Sequence, residues 1–200
     1  MTKLCNTAPE PNDPPQPDGL ADVDHFARFV RGLKVPARDT KLAATPKAKK
    51  GSELFDKAGC AACHVRSLTT VAAGTKINGG AFAVPPALGS KTFHPYGDFL
   101  LHDVGTGDGI AIPIVEHYAR MARQMPRQCT PENFQKTRNR VRTAPLWGVR
   151  LRPRLMHDGA SLTLGDAILR HCGEAEKASE RFRHMGRSDQ EALQEFLRSL

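Results

Sequence analysis

Two hundred residues make one domain with room for an appendage, and 29 Lys and Arg against 21 Asp and Glu leave a net charge of +8. Such an excess is ordinarily a solvated basic surface, or in sharper form a docking field for an acidic protein partner; the dispersed cations and the lack of any nucleic-acid motif argue against DNA or RNA. No stretch approaches the length of a transmembrane helix, and with 40% apolar and 6% aromatic residues the protein core looks thin enough to need an apolar cofactor.

Residues 9–18 hold five prolines among polar residues, the composition of an extended segment without a core. Asp22 or Asp24 then caps a helix expected to run to about Leu33, with Phe26, Phe29, Val30 and Leu33 on one face. Residues 34–50 read as a linker, punctuated by Pro36 and Pro46 and ending in Lys47, Lys49 and Lys50. Ser52 starts the next helix, which carries Leu54 and Phe55 toward Cys60.

Cys60-Ala61-Ala62-Cys63-His64 spells C-x-x-C-H, the attachment sequence of a c-type haem. Residues three apart on a short helix share a face. Cys60 and Cys63 can therefore reach two vinyl groups on one porphyrin edge, and His64 turns toward the iron as proximal ligand. A thioredoxin-like pair would need a βαβ setting, which is lacking here. A zinc site would need more ligands at matching spacing, whereas Cys5, Cys129 and Cys172 are scattered singly.

Residues 67–109 alternate glycines with short apolar pieces, which predicts loops and a short hairpin. A helix is predicted from Pro113 to about Gln124, with Pro126 beyond its end, and another opening at Thr130 or Glu132. Thr163-x-x-Asp166 resembles a capping box, with Gly173 as the stop after it, and Ser188-x-x-Glu191 is a second box before Leu193, Phe196, Leu197 and Leu200. The expected architecture is mainly α: a haem wrapped by three to five helices with long loops. Residues 1–50 form a Pro-rich segment, a helix and a linker, and residues 51–200 the haem-binding domain.

The sixth iron position decides between electron transfer and peroxide chemistry. Its candidates are Met121, Met125, Met156, Met185, His157 and His171. His171 stands out because it falls three and four residues after Ile168 and Ala167, on that helix's apolar face. The alternative is a histidine answering the helix dipole.

Beyond single motifs, the stretch Thr143-Ala-Pro-Leu-Trp-Gly-Val-Arg150, then Met156-His-Asp-Gly159, Thr163-Leu164 and His171-Cys-Gly-Glu-Ala175, resembles the dihaem oxidoreductases, relatives of bacterial dihaem cytochrome c peroxidases and MauG-like enzymes. Asp98-Phe-Leu-Leu-His-Asp-Val-Gly105, Gly51-x-x-Leu54-Phe55 and Ala21-Asp-Val-Asp-His-Phe26 fit the same group. The resemblance is to the C-terminal haem domain, since those proteins carry two C-x-x-C-H motifs and this chain has one. It implies a cytochrome c-like domain and makes His171 the distal ligand, as in members with a His-Gly-Gly-Glu-Ala sequence. Here Cys172 replaces the first of those glycines, and it is expected to pack as a small hydrophobe rather than compete for iron.

The leading expectation is a c-type cytochrome domain with one covalent haem and its iron, passing single electrons to a redox partner protein or a second haem domain. The rival is a peroxidase-like oxidoreductase with an open or opening sixth site, in which His102 or His157 serves as acid/base; their other reading is hydrogen bonding in the loops around the haem. The expected compartment is the periplasm. Met1 to Cys5 lacks the apolar stretch of a signal peptide, so either an export signal was removed or this is the back half of a longer product. A third expectation is a fragment of a two-haem gene.

Overall fold

A computed structural model describes residues 17–105 and 139–200. The predicted helices near 113–124 and 130–132, the Pro-rich residues up to 16, and Cys5, Met121, Met125 and Cys129 lie outside them. Contacts divide the chain between Pro36 and Ala37. The first unit contains helix α1, Asp22–Gly32. Its N-cap is Ala21 rather than an aspartate, and the Asp24 carboxylate reaches back to accept the Ala21 N–H at 3.2 Å.

The second unit starts with a one-turn helix α2, Thr40–Ala43, and α3, Pro46–Ala58. The stretch expected to be a linker is thus largely helical. Thr45 Oγ1 accepts the Ala48 N–H at 3.1 Å and donates to Glu195 at 2.9 Å, while Pro46 occupies the first turn, where its missing N–H costs nothing. Lys47 and Lys50 extend from α3 to Glu191 and Asp189. The tertiary partner converts a lysine run into one wall of a helix pair.

After α3, a single 3₁₀ turn, Cys60–Ala62, leads into a loop region with two small antiparallel ribbons. β1 (Leu68–Thr69) pairs with β4 (Thr92–Phe93), and β2 (Lys76–Ile77) pairs with β3 (Phe82–Ala83) across a turn with glycines at φ 65° and 96°. The expectation of loops and a short hairpin holds. A third ribbon joins β5 (Leu101–Asp103) to β6 (Arg140–Arg142), opposing His102 to Val141.

The C-terminal part adds α4 (Leu164–Leu169), α5 (Glu176–Arg183) and α6 (Arg187–Arg198). Thr163 caps α4, accepting the Asp166 N–H at 3.1 Å. Ser188 does not cap α6 as expected. The helix starts two residues earlier, with Gly186 as N-cap and its carbonyl accepting from Asp189 and Gln190, and Glu191 turns instead to Lys47 and Arg187.

α3 packs along α6 at close range. An ideal Cβ on Gly51 would fall 1.9 Å from the Ala192 carbonyl oxygen and 2.8 Å from Phe196 Cβ, so only glycine permits this approach. Below the crossing, Phe55 and Phe196 meet at 5.3 Å between ring centroids, with Tyr96 edge-on to both at 6.1 and 5.8 Å. The Arg66 guanidinium lies over all three rings at 5.3 to 5.8 Å and pairs with Asp56 at 2.9 Å. Phe182, Leu193, Leu197 and Val149 extend this core. It sits directly behind the C-x-x-C-H turn.

Candidate functional site

Gly59, at φ 91°, ends α3 in the left-handed conformation that a side chain would resist, and this turn throws the chain sharply into Cys60. The His64 N–H bonds back to the Cys60 carbonyl at 2.9 Å, closing the C-x-x-C-H turn on itself. Phe55, one turn earlier, is 1% exposed and lies 6.5 Å from the His64 ring. It anchors the motif to the α3–α6 core.

His64 Nδ1 lies 2.9 Å from the Tyr96 carbonyl oxygen. A carbonyl only accepts, so Nδ1 carries the proton and Nε2 keeps its lone pair. Burial pushes the His64 pKa down to about 4, the bond to Tyr96 only partly offsetting it. A neutral imidazole with its second nitrogen oriented by a backbone carbonyl is the form that binds a metal. Tyr96 itself is held at φ 51°, unusual for a non-glycine residue, between Pro95, which accepts from Leu146, and Gly97, which donates to Val65.

His171 repeats the arrangement. It lies just past the end of α4 rather than in its last turn, and its Nδ1 donates to the Ala167 carbonyl at 2.7 Å. Its Nε2 is likewise left as the acceptor.

Both histidines line one cavity of about 490 Å³, together with Cys60 and Cys63. That volume lies in the range of small-molecule and cofactor sites, about 300–1,000 Å³. Apolar side chains such as Leu146, Val149, Leu155 and Ile168 form much of the wall. Burial raises the Cys60 thiol to about 11 and the Cys63 thiol above its ordinary value, so both are protonated at neutral pH. Two neutral thiols, two imidazoles with free Nε2 lone pairs and an apolar wall are a donor set that fits a haem and its iron.

Among the other candidates, Met156 and His157 also line the cavity, whereas Met185 packs against the hydrophobic core. Cys172 is exposed and does not line the cavity. It sits against Gly105 and donates its N–H to the Val104 carbonyl, so it is not the buried small hydrophobe expected.

His102 is engaged at both ring nitrogens: Nε2 lies 2.8 Å from Asp98 and Nδ1 2.9 Å from Glu174. These carboxylates raise its pKa, Glu174 most, and it in turn holds the Glu174 carboxyl below its ordinary range. Burial alone would raise Asp98, but hydrogen bonds from Thr143, Leu100 and His102 outweigh it and leave it low. Sequence reasoning named His102 but missed both partners, although Asp98 precedes it by only four residues. Tyr96 had no side-chain signal, because its carbonyl performs the work.

The cavity, its paired imidazoles and the C-x-x-C-H turn together form a site that fits a haem. A family profile described as "Di-haem oxidoreductase, putative peroxidase" matches residues 16–200, and the chain belongs to this family. No curated protein matches the chain. Among solved structures, hydrazine synthase of Kuenenia stuttgartiensis, determined under 20 bar xenon, is similar with a TM-score of 0.52 at 20% identity. The match covers 91% of this chain and 56% of that one, and at this identity it is a likeness of fold alone. Among the described residues, no helix is long and apolar enough to cross a membrane.

Proposed function

We propose that this chain is a c-type cytochrome domain that transfers single electrons as the C-terminal part of a di-haem oxidoreductase. In this reading Cys60 and Cys63 hold one covalent haem, His64 is the proximal ligand and His171 the distal one. The observation that carries it is the matched pair of imidazoles lining one cavity, each donating Nδ1–H to a backbone carbonyl and keeping Nε2 for iron. Bound haem supplies reversible one-electron iron chemistry. Two protein ligands suit that chemistry, because a filled sixth position leaves no room for a substrate on the metal.

The haem-binding domain, expected over residues 51–200, then takes in the whole unit from Ala37, since α3 begins at Pro46 and carries the attachment turn. We further infer a cytochrome c-like arrangement, with α3 and α6 crossed behind the C-x-x-C-H turn, and a periplasmic location, where haem c is ordinarily attached. The partner is the second haem domain of the family's architecture or an acidic redox protein drawn by the +8 charge. The peroxidase-like alternative would use His102 or His157, both on the cavity wall, as an acid/base group; the two nitrogens of His102 are held by carboxylates.

Potentiometric titration of the haem-loaded chain tests the reading. A single reversible one-electron step with negligible peroxide turnover is expected. Sustained turnover of peroxide by a high-spin resting state would replace electron transfer with catalysis.

A further inference from the structure

We propose that His102 is a positioning residue that clasps the segment bearing His171 to the loop bearing Cys63 and His64, and so keeps the distal ligand in place. This inference rests on the reading of His64 and His171 as axial ligands.

The clasp joins two chain segments that line the cavity. On one side, Asp98 donates its N–H to the Cys63 carbonyl at 2.9 Å, fixing its carboxylate to the attachment turn. A Cys63 Sγ, an Asp98 oxygen and a His102 nitrogen all lie within 4.8 Å of one another. On the other side, Glu174 follows His171 by three residues. Its Oε2 takes His102 Nδ1, and its Oε1 accepts the Asp103 N–H at 3.2 Å. The Cys172 N–H bonds to the Val104 carbonyl at 3.0 Å, so the strand carrying His102 grips the chain on both sides of Gly173.

That grip is tight at Gly173 itself, at φ 55°, where a Cβ would stand 2.5 Å from the Asp103 carbonyl oxygen. Ionised carboxylates only accept hydrogen bonds, so a ring bonded to one at each nitrogen must donate from both, which makes His102 an imidazolium between two anions. His102 also lines the cavity, with its side chain 19% exposed. α4 holds His171 from its own side, through the Ala167 and Ile168 carbonyls, but that helix is six residues long and ends two residues before His171, so the clasp adds the hold from the Cys63–His64 loop.

The readout is the rate at which cyanide displaces the distal ligand from the oxidised, haem-loaded chain, since entry requires His171 to swing away. His102→Ala and Glu174→Ala are each expected to bind cyanide about tenfold faster or more than the wild type. The double variant should be no faster than the faster single, because the two residues act through one contact. Glu191→Ala, which breaks an ion pair on the far side of the α3–α6 pair, should leave the rate unchanged.

Glu174→Gln keeps the side-chain shape and removes its charge; it should also bind faster, and it reads the contact if His102→Ala does not fold. Wild-type rates in His102→Ala, Glu174→Ala and Glu174→Gln, or equal acceleration in Glu191→Ala, would overturn the clasp. His171→Ala separates the two levels. If it binds cyanide quickly while the clasp variants stay slow, only the clasp fails. If it binds no faster than the wild type, the ligand reading fails and the clasp with it.

Discussion

Protein carrying Cys60→Ser and Cys63→Ser together is expected to emerge from a haem c maturation system with no covalent haem, against one per chain for the parent. Both thiols line the cavity that His64 and His171 share, and a hydroxyl cannot replace a thiol in adding across a porphyrin vinyl group. Each single variant should keep one thioether and still carry haem through a denaturing gel. The double variant can hold haem only through its imidazoles, so acid and organic solvent should extract all of it. Intact mass and haem staining measure this directly. Haem that stays covalently bound in the double variant would mean that another residue carries the attachment.

Gly51→Ala is expected to be the most damaging one-carbon change in the described part of the chain. The added methyl would lie 1.9 Å from a backbone oxygen of α6, an atom no rotamer change can move. α3 and α6 must separate, which parts Phe55 from Phe196 and loosens the attachment turn that Phe55 anchors. Overpacking ordinarily costs about 1–3 kcal/mol and occasionally more; a backbone contact belongs at the upper end, a large share of the roughly 5–15 kcal/mol that holds a domain folded. Chemical denaturation of the haem-loaded protein should show a loss of about 3 kcal/mol or more, or no folded protein. Gly165→Ala is the contrast: its Cβ would meet only the Gln194 side chain at 3.5 Å, so the substitution should be neutral or stabilise α4 by up to about 1 kcal/mol. Equal effects at the two positions would contradict the packing account.

The sequence already named Cys60, Cys63, His64 and His171, which the fold brings to one cavity. The first three were legible because the proposed covalent attachment would impose a fixed spacing. Two thiols three apart and an adjacent histidine carry their purpose in the order of residues, and so does Thr163 three positions before Asp166. Gly51 was legible only as part of a family resemblance, and the helix crossing supplies its physical reason. Thr45 and Pro46 carried a start signal that the lysine run after them obscured, since the partners of those lysines lie some 140 residues away in sequence.

Ser188 failed as a cap because two helix starts competed and the backbone at Gly186 prevailed. The carbonyls that orient His64 and His171 leave no trace in residue identity, as any amino acid but its neighbours' geometry could present them. The His102 clasp was hidden for a related reason. Its three members span 76 positions from Asp98 to Glu174, and only the fold brings them together.

The most direct test of the whole account is the optical spectrum of the haem-loaded chain, oxidised and reduced, for the wild type beside His171→Ala. The account predicts a low-spin wild type without the long-wavelength charge-transfer band of a methionine ligand, and a high-spin His171→Ala. A wild type that is already high-spin, or a low-spin spectrum that His171→Ala leaves unchanged, would contradict it, the second result pointing to Met156 on the same cavity wall.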